Sequence, residues 1–176
     1  MCSKGVNMAD TGFKTAGAVV FEGDWLNMTT TRINTADNSR ATTTLGTFDP
    51  ATINNFSFGL PSGATIDGIE VNTEFSNTLG TATSTLQISL SWNNGTNYTA
   101  TKSDTVTSTT DKNSTLGGAT DTWGRTWTDT EFANGTFLVK VEGKTTAGGV
   151  CRLDFFQIKV YYTVADTSGF FFLMGA

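Results

Sequence analysis

The feature that most constrains the fold of this chain is an alternation of apolar and polar residues in several separate segments. The alternation is clearest in residues 69–75, 86–92, 137–142 and 157–164, and a shorter version covers residues 56–60. Because successive side chains of a β-strand point to opposite faces, this period of two indicates half-buried antiparallel strands. No window carries a sustained apolar period of 3.6 residues, so little helix is expected.

Residue types and turns extend this pattern to a complete all-β domain. Further strands are expected at residues 17–26, 40–47 and 97–103. Threonine, a β-branched residue that favours strands, is the commonest residue, and the two prolines, Pro50 and Pro61, lie in turn contexts. About eight strands separated by Gly and Asn turns predict an antiparallel two-sheet jelly-roll β-sandwich with short terminal extensions.

Two segments are expected to interrupt the strands. Residues 104–122 form the longest stretch of low hydrophobicity and are predicted to be a long surface loop. Residues 128–131 have the spacing of a capping box, which predicts a single helical turn.

The chain ends in an apolar run that consists of Phe170, Phe171, Phe172, Leu173 and Met174. Large apolar side chains gain roughly 1.5–3 kcal/mol each on burial, so an otherwise exposed run of this kind indicates a docking segment. The run is much shorter than the ~20 apolar residues that span a bilayer. We therefore predict an N-terminal arm (1–16), a jelly-roll domain (17–164) and an apolar docking tail (165–176). Met8 and Phe13 in the arm are candidates for a second tether.

Charge and residue types argue against several functional classes. The net charge is -5 with a pI near 4.5, so the chain lacks the basic surface of a nucleic-acid-binding protein. Lys and Arg are scattered singly and do not form a membrane-binding cluster. The sequence contains no histidine, which removes Ser-His-Asp triads and zinc-histidine sites. Asp104, Asp111 and Asp121 lack the spacing of known calcium loops, so neither a metal nor a cofactor is predicted.

Carboxylate pairs are the remaining option for catalysis. Asp121 with Asp129 and Glu131, flanked by Trp123 and Trp127, could form a glycosidase-like cleft. The favoured interpretation is that these are solvated loop acids around a packed tryptophan motif. We therefore predict that the protein is not an enzyme.

A non-catalytic glycan site is a milder alternative. The candidate stacking platforms are Trp123, Trp127 and Tyr98, in loops 93–98 and 104–127. Exposed rings would support this hypothesis and buried rings would count against it.

The two cysteines, Cys2 and Cys151, form no metal-binding pattern. A disulfide between them is one option, and free or buried thiols are the preferred interpretation. The N-terminal residues lack the apolar region of a signal peptide, so we expect synthesis in a cytoplasm.

Three blocks of the sequence resemble a jelly-roll domain found in bacteriophage virion proteins and in some bacterial surface proteins. They are residues 56–71 (FSFGLPSGATIDGIEV), 117–128 (GGATDTWGRTWT) and 153–163 (LDFFQIKVYYT). Trp25 and residues 36–42 fit the pattern more loosely. The resemblance covers most of the predicted jelly-roll domain.

The resemblance implies a non-enzymatic virion structural protein, most readily a capsid decoration or cement protein. Its partners would be the major capsid protein or neighbouring copies, with a symmetric homo-oligomer such as a trimer. The apolar residues of the two termini would make these contacts, adding many modest interfaces through effective concentration. The expected location is the virion. The alternative is a tail or fibre host-recognition module that binds cell-surface glycans.

Overall fold

The computed structural model describes residues 7–21, 23–146 and 148–165, and its fold is an antiparallel jelly-roll β-sandwich. The strands are β1 (Asn7–Asp10), β2 (Ala18–Phe21), β3 (Ala41–Thr43), β4 (Asp49–Asn54), β5 (Thr65–Asn77), β6 (Ser84–Ser91), β7 (Lys102–Val106), β8 (Lys112–Gly118), β9 (Leu138–Thr145) and β10 (Cys151–Val164). Sheet A has the order β1-β10-β5-β8, with β3 also paired to β10. Sheet B has the order β2-β4-β9-β6-β7. The predicted fold class is confirmed.

Helical structure in the described residues is limited to two short turns. Helix α1 covers Thr30–Ile33, and a 3-10 helix covers Asp129–Phe132. The 3-10 helix begins with the predicted capping box, in which the Thr128 backbone N–H donates to Glu131 Oε2 at 2.8 Å. None of the described helices has the length and apolar character of a membrane span.

The core lies between the two sheets and is built from the apolar members of the alternating segments. These include Ile69, Val71, Phe75, Leu86, Ile88, Leu90, Val139, Val141, Ile158 and Val160. An aromatic cluster of Phe56, Phe58, Trp127, Phe132 and Phe137 fills one end, with ring centroids 4.9–5.7 Å apart in its closest pairs. The period of two therefore identified the strands that face the core.

The expected strand at residues 56–60 is wrong. Phe56 and Phe58 are buried as the alternation indicates, but this segment belongs to no strand. Asn55, Ser57 and Gly59 have φ values of 61°, 52° and 68°. Every second residue of this segment adopts the left-handed backbone region, and the residues between them, Phe56 and Phe58, are buried. The result is the same alternation of apolar and polar residues that a strand shows.

The expected long loop at residues 104–122 is also wrong, because it contains most of β7 and all of β8. Each of these strands lies at the edge of its sheet. Edge strands remain partly solvated, which explains their low hydrophobicity. The strands expected at 17–26 and 40–47 are present in shorter form as β2 and β3, and the one expected at 97–103 begins later, at Lys102.

Candidate ligand-binding groove

Trp123 and Trp127, two of the predicted stacking residues, are buried. Each side chain is 4% exposed. The Trp123 indole N–H donates to the Ile69 carbonyl at 2.9 Å, and that of Trp127 donates to the Thr122 carbonyl at 2.7 Å. Their rings fasten the segment after β8 to the sandwich, and this burial counts against either as a platform for a sugar.

Arg125 lies between two tryptophan rings in the same segment. Its guanidinium carbon is 4.0 Å from the centroid of Trp92 and 4.2 Å from that of Trp127. Both terminal nitrogens donate to the Glu131 carboxylate, at 2.8 and 3.2 Å. Stacked and paired in this way, Arg125 links the 3-10 helix to the aromatic cluster.

The carboxylates considered for catalysis have other partners. Asp121 forms an ion pair with Lys102 at 2.8 Å, and Asp129 accepts the Gly63 backbone N–H at 2.9 Å. Burial acts to raise the pKa of Asp121, but hydrogen bonds from Lys102 and the backbone outweigh it, so the pKa is lowered. Burial likewise opposes the lowering of the Glu131 pKa by Arg125. Neither of these two acids has the raised pKa that suits a general acid.

No cluster of three or more potential metal ligands is present in the described part of the chain. Cys151 is a buried free thiol, and burial raises its pKa to about 12. A thiol with such a pKa stays protonated and is a poor nucleophile. Cys2 lies outside the described residues.

A concave groove lies on the outer face of sheet B. On β9, Val139 and Val141 point into the core, so Lys140 and Glu142 point outward. The groove has a volume of about 450 Å³. Its lining includes Thr52 and Asn54 of β4, Leu138, Lys140 and Glu142 of β9, and Tyr98. This volume lies within the roughly 300–1,000 Å³ range of ligand pockets.

Tyr98, the third predicted stacking residue, lines this groove. It is half-buried, and the Lys140 ammonium lies 4.8 Å from its ring centroid. Ser91 holds the loop in place, because it forms a β-bridge with Tyr98 and its Oγ accepts the Gly95 backbone N–H at 2.9 Å. Gly95 has a φ of +81°, and a Cβ there would lie 3.1 Å from Tyr98 Oη. The glycine therefore lets the loop lie directly against the phenol.

The groove carries a charged pair and an amide that sequence reasoning did not single out. Lys140 Nζ lies 3.3 Å from Glu142 Oε2. The Asn54 side-chain oxygen is buried and accepts no hydrogen bond from the described residues. In the sequence, Lys140 and Glu142 were simply the polar members of an alternating strand, a pattern that any solvated sheet face shares.

Two of the predicted subunit-binding residues, Met8 and Phe13, are among the described residues. Met8 is 53% and Phe13 38% exposed, and Met8 belongs to β1, which pairs with β10 of the same chain. The Lys159 ammonium lies 4.3 Å from the Phe13 ring centroid. Phe170, Phe171, Phe172, Leu173 and Met174 lie outside the described residues, so docking of the tail stays a prediction.

Comparison with known proteins gives structural similarity alone. No protein family and no curated protein matches the sequence. A truncated AlyQ with CBM32 and alginate lyase domains is 13% identical with a TM-score of 0.47, and the match covers 94% of this chain and 36% of that chain. The CBM22-1 xylan-binding domain of Xyn10C from Paenibacillus barcinonensis is 15% identical with a TM-score of 0.40, covering 89% of this chain and 95% of that one. TmCBM61 in complex with β-1,4-galactotriose is 12% identical with a TM-score of 0.35, and the match covers 87% of this chain and 92% of that chain.

Proposed function

We propose that this chain is a non-enzymatic binding module whose groove on sheet B takes a carbohydrate. This is the role of a tail or fibre host-recognition module, the alternative that the sequence analysis raised. The observation that carries the proposal is the Tyr98 ring at the wall of a groove whose other surfaces offer amide, hydroxyl and charged groups. A sugar ring has apolar C–H faces and a rim of hydroxyls. An aromatic wall and convergent polar groups match both.

The groove is suited to binding rather than to glycoside hydrolysis. Hydrolysis by the usual mechanisms needs two carboxyl groups that flank the scissile bond. Glu142 is the single carboxylate among the described residues that line the groove, and Lys140 Nζ lies 3.3 Å from Glu142 Oε2. A ligand held there would meet hydrogen-bonding groups without an acid and base pair to cleave it.

The capsid decoration role also stays a proposal. Exposed Met8 and Phe13 are compatible with contacts to a neighbouring virion subunit. The apolar tail, which was the main reason to expect such contacts, lies outside the described residues. The two roles do not conflict, because terminal segments would attach the protein while the groove on sheet B binds a ligand.

Glycan-array screening of the wild-type protein and the Tyr98→Ala variant tests the proposed function. We expect the wild type to bind a defined set of glycans and Tyr98→Ala to bind them at least about tenfold more weakly, a loss of about 1.4 kcal/mol. Tyr161→Ala, which removes another half-buried tyrosine from sheet A, is the matched control and should bind normally. Absence of binding to any glycan, or equal binding by Tyr98→Ala, would refute the proposal.

A further inference from the structure

We propose that Lys140 and Glu142 make the groove selective for an uncharged glycan, by binding two adjacent hydroxyl groups of one sugar ring. This inference rests on the proposed function. It concerns the chemical class of the ligand and assigns a specificity role to two residues of β9.

The positions of Lys140 and Glu142 are set by strand β9 and by the neighbouring Tyr98 ring. Lys140 and Glu142 are two residues apart on β9, so their side chains share the outer face of sheet B. The side chains are 25% and 17% exposed, so both are partly withdrawn from water but reachable from the groove. The ammonium also lies 4.8 Å from the Tyr98 ring centroid, which places it beside the aromatic wall.

The charges of the pair disfavour an acidic sugar. Among the described residues that line the groove, Lys140 and Glu142 are the charged ones, so their formal charges balance. A ligand carboxylate or sulfate that approached Lys140 would come close to Glu142 as well. Like charges about 4 Å apart repel by about 1 kcal/mol in water and by several times more in partly buried sites. The overall net charge of -5 adds to this repulsion.

The hydrogen-bonding capacity of the pair matches a diol. An ammonium group only donates hydrogen bonds, and an ionised carboxylate only accepts them. A hydroxyl does both, so one hydroxyl can accept from Lys140 Nζ while its neighbour donates to Glu142. Adjacent hydroxyls of a pyranose are separated by a distance comparable to the 3.3 Å between Nζ and Oε2. Both bonds would be charge-assisted, and the ion pair would not have to separate.

The test compares the affinity of the protein for pairs of matched oligosaccharides. Each pair consists of a neutral hexose oligomer and the uronic-acid oligomer of the same linkage. Binding is measured by titration calorimetry at low and high salt. We expect the neutral member to bind with little dependence on salt, because no net charge is neutralised. Lys140→Met and Glu142→Gln should each weaken binding at least about tenfold. The affinity of the double variant should be only slightly lower than that of whichever single variant binds more weakly, because the two residues act as a unit.

Lys144→Met is the control for removing a lysine from the same strand, because Lys144 lies over the Phe48 ring and is not part of the groove lining. It should bind like the wild type. Chemical unfolding of each variant checks that a loss of binding does not reflect a loss of fold.

The outcomes separate this inference from the proposed function. Preference for uronic acids with strong salt dependence, or tighter binding by Glu142→Gln, would overturn neutral selectivity and leave carbohydrate binding intact. The inference would also be overturned, with carbohydrate binding intact, if binding of neutral glycans depended on Tyr98 but was unchanged in Lys140→Met and in Glu142→Gln. If no oligosaccharide binds at any salt concentration, the proposed function and the inference both fail.

Discussion

Replacing Gly143 with alanine tests the packing that holds β9 against the core. A Cβ at Gly143 would lie 2.5 Å from Cζ2 and 2.8 Å from Cη2 of Trp25, and 3.2 Å from Cγ2 of Thr43. Trp25 is 1% exposed, and its indole N–H donates to the Asp49 carbonyl at 2.7 Å. The indole therefore cannot move aside without losing a buried hydrogen bond or displacing its neighbours.

These contacts determine the loss of folding stability expected for Gly143→Ala. Adding a methyl group to a well-packed core destabilises a protein by about 1–3 kcal/mol. For a domain of this size, that loss lowers the melting temperature by roughly 2–12 °C. Guanidinium unfolding followed by tryptophan fluorescence measures the change directly, and the slope of the transition shows whether the unfolded state has changed as well.

Gly46→Ala is the matched control. A Cβ at Gly46 would meet only the Thr145 carbonyl oxygen, at 3.9 Å, so no loss of stability is expected. Replacing a glycine at such a site commonly adds about 0.4–1 kcal/mol by restricting the unfolded chain. If Gly143→Ala unfolds at the same guanidinium concentration as the wild type, or if both variants shift alike, the proposed tight fit around Trp25 is refuted.

Two further predictions concern ionisable groups away from the groove. Burial, followed by the charges of Asp111 and Asp154, raises the pKa of Glu74 above its ordinary value of 4.5, so its ionised form disfavours folding. Glu74→Gln should therefore stabilise the protein near neutral pH, and the gain should shrink as the pH falls through the raised pKa. Urea unfolding of Glu74→Gln and the wild type, from neutral pH down through the raised pKa of Glu74, measures this gain in stability. A gain independent of pH would contradict the reasoning. Cys151, with a pKa raised by burial to about 12, should resist alkylation in the folded protein and react on unfolding. Mass-spectrometric mapping checks this, and rapid labelling of Cys151 in the native state would show that it is accessible.

The alternation of residues predicted the main strands because burial of one face is a local property of a strand. The same signal failed at residues 56–60, where Asn55, Ser57 and Gly59 adopt positive φ values and the period of two has another origin. It also missed β8, and it placed β7 too early, at residues 97–103 instead of Lys102–Val106. An edge strand has little burial on either side, and its sequence then resembles that of a loop.

The groove was less accessible to sequence reasoning than the sheets. Tyr98 was named as one of three aromatic candidates, and Lys140 and Glu142 were seen only as polar positions on a strand. What brings them together is long-range pairing, in which Thr52 and Lys140 are partners between β4 and β9 and Ser91 bridges to Tyr98. Such registers depend on the whole sheet and are not encoded in any single segment.

The tryptophan-rich block and the groove place their aromatic rings in different environments. Trp123 and Trp127 direct their indole N–H groups to backbone carbonyls inside the protein, so their polar atoms are already satisfied by the fold. Tyr98 instead lines a concave surface beside charged side chains. The strand under that surface has its other face in the core, where Val139 and Val141 are fully buried. Lys140 and Glu142 thus take their positions from β9, the middle strand of sheet B. A ligand that fits them would bind without much ordering of the protein, which keeps the entropic cost of binding low.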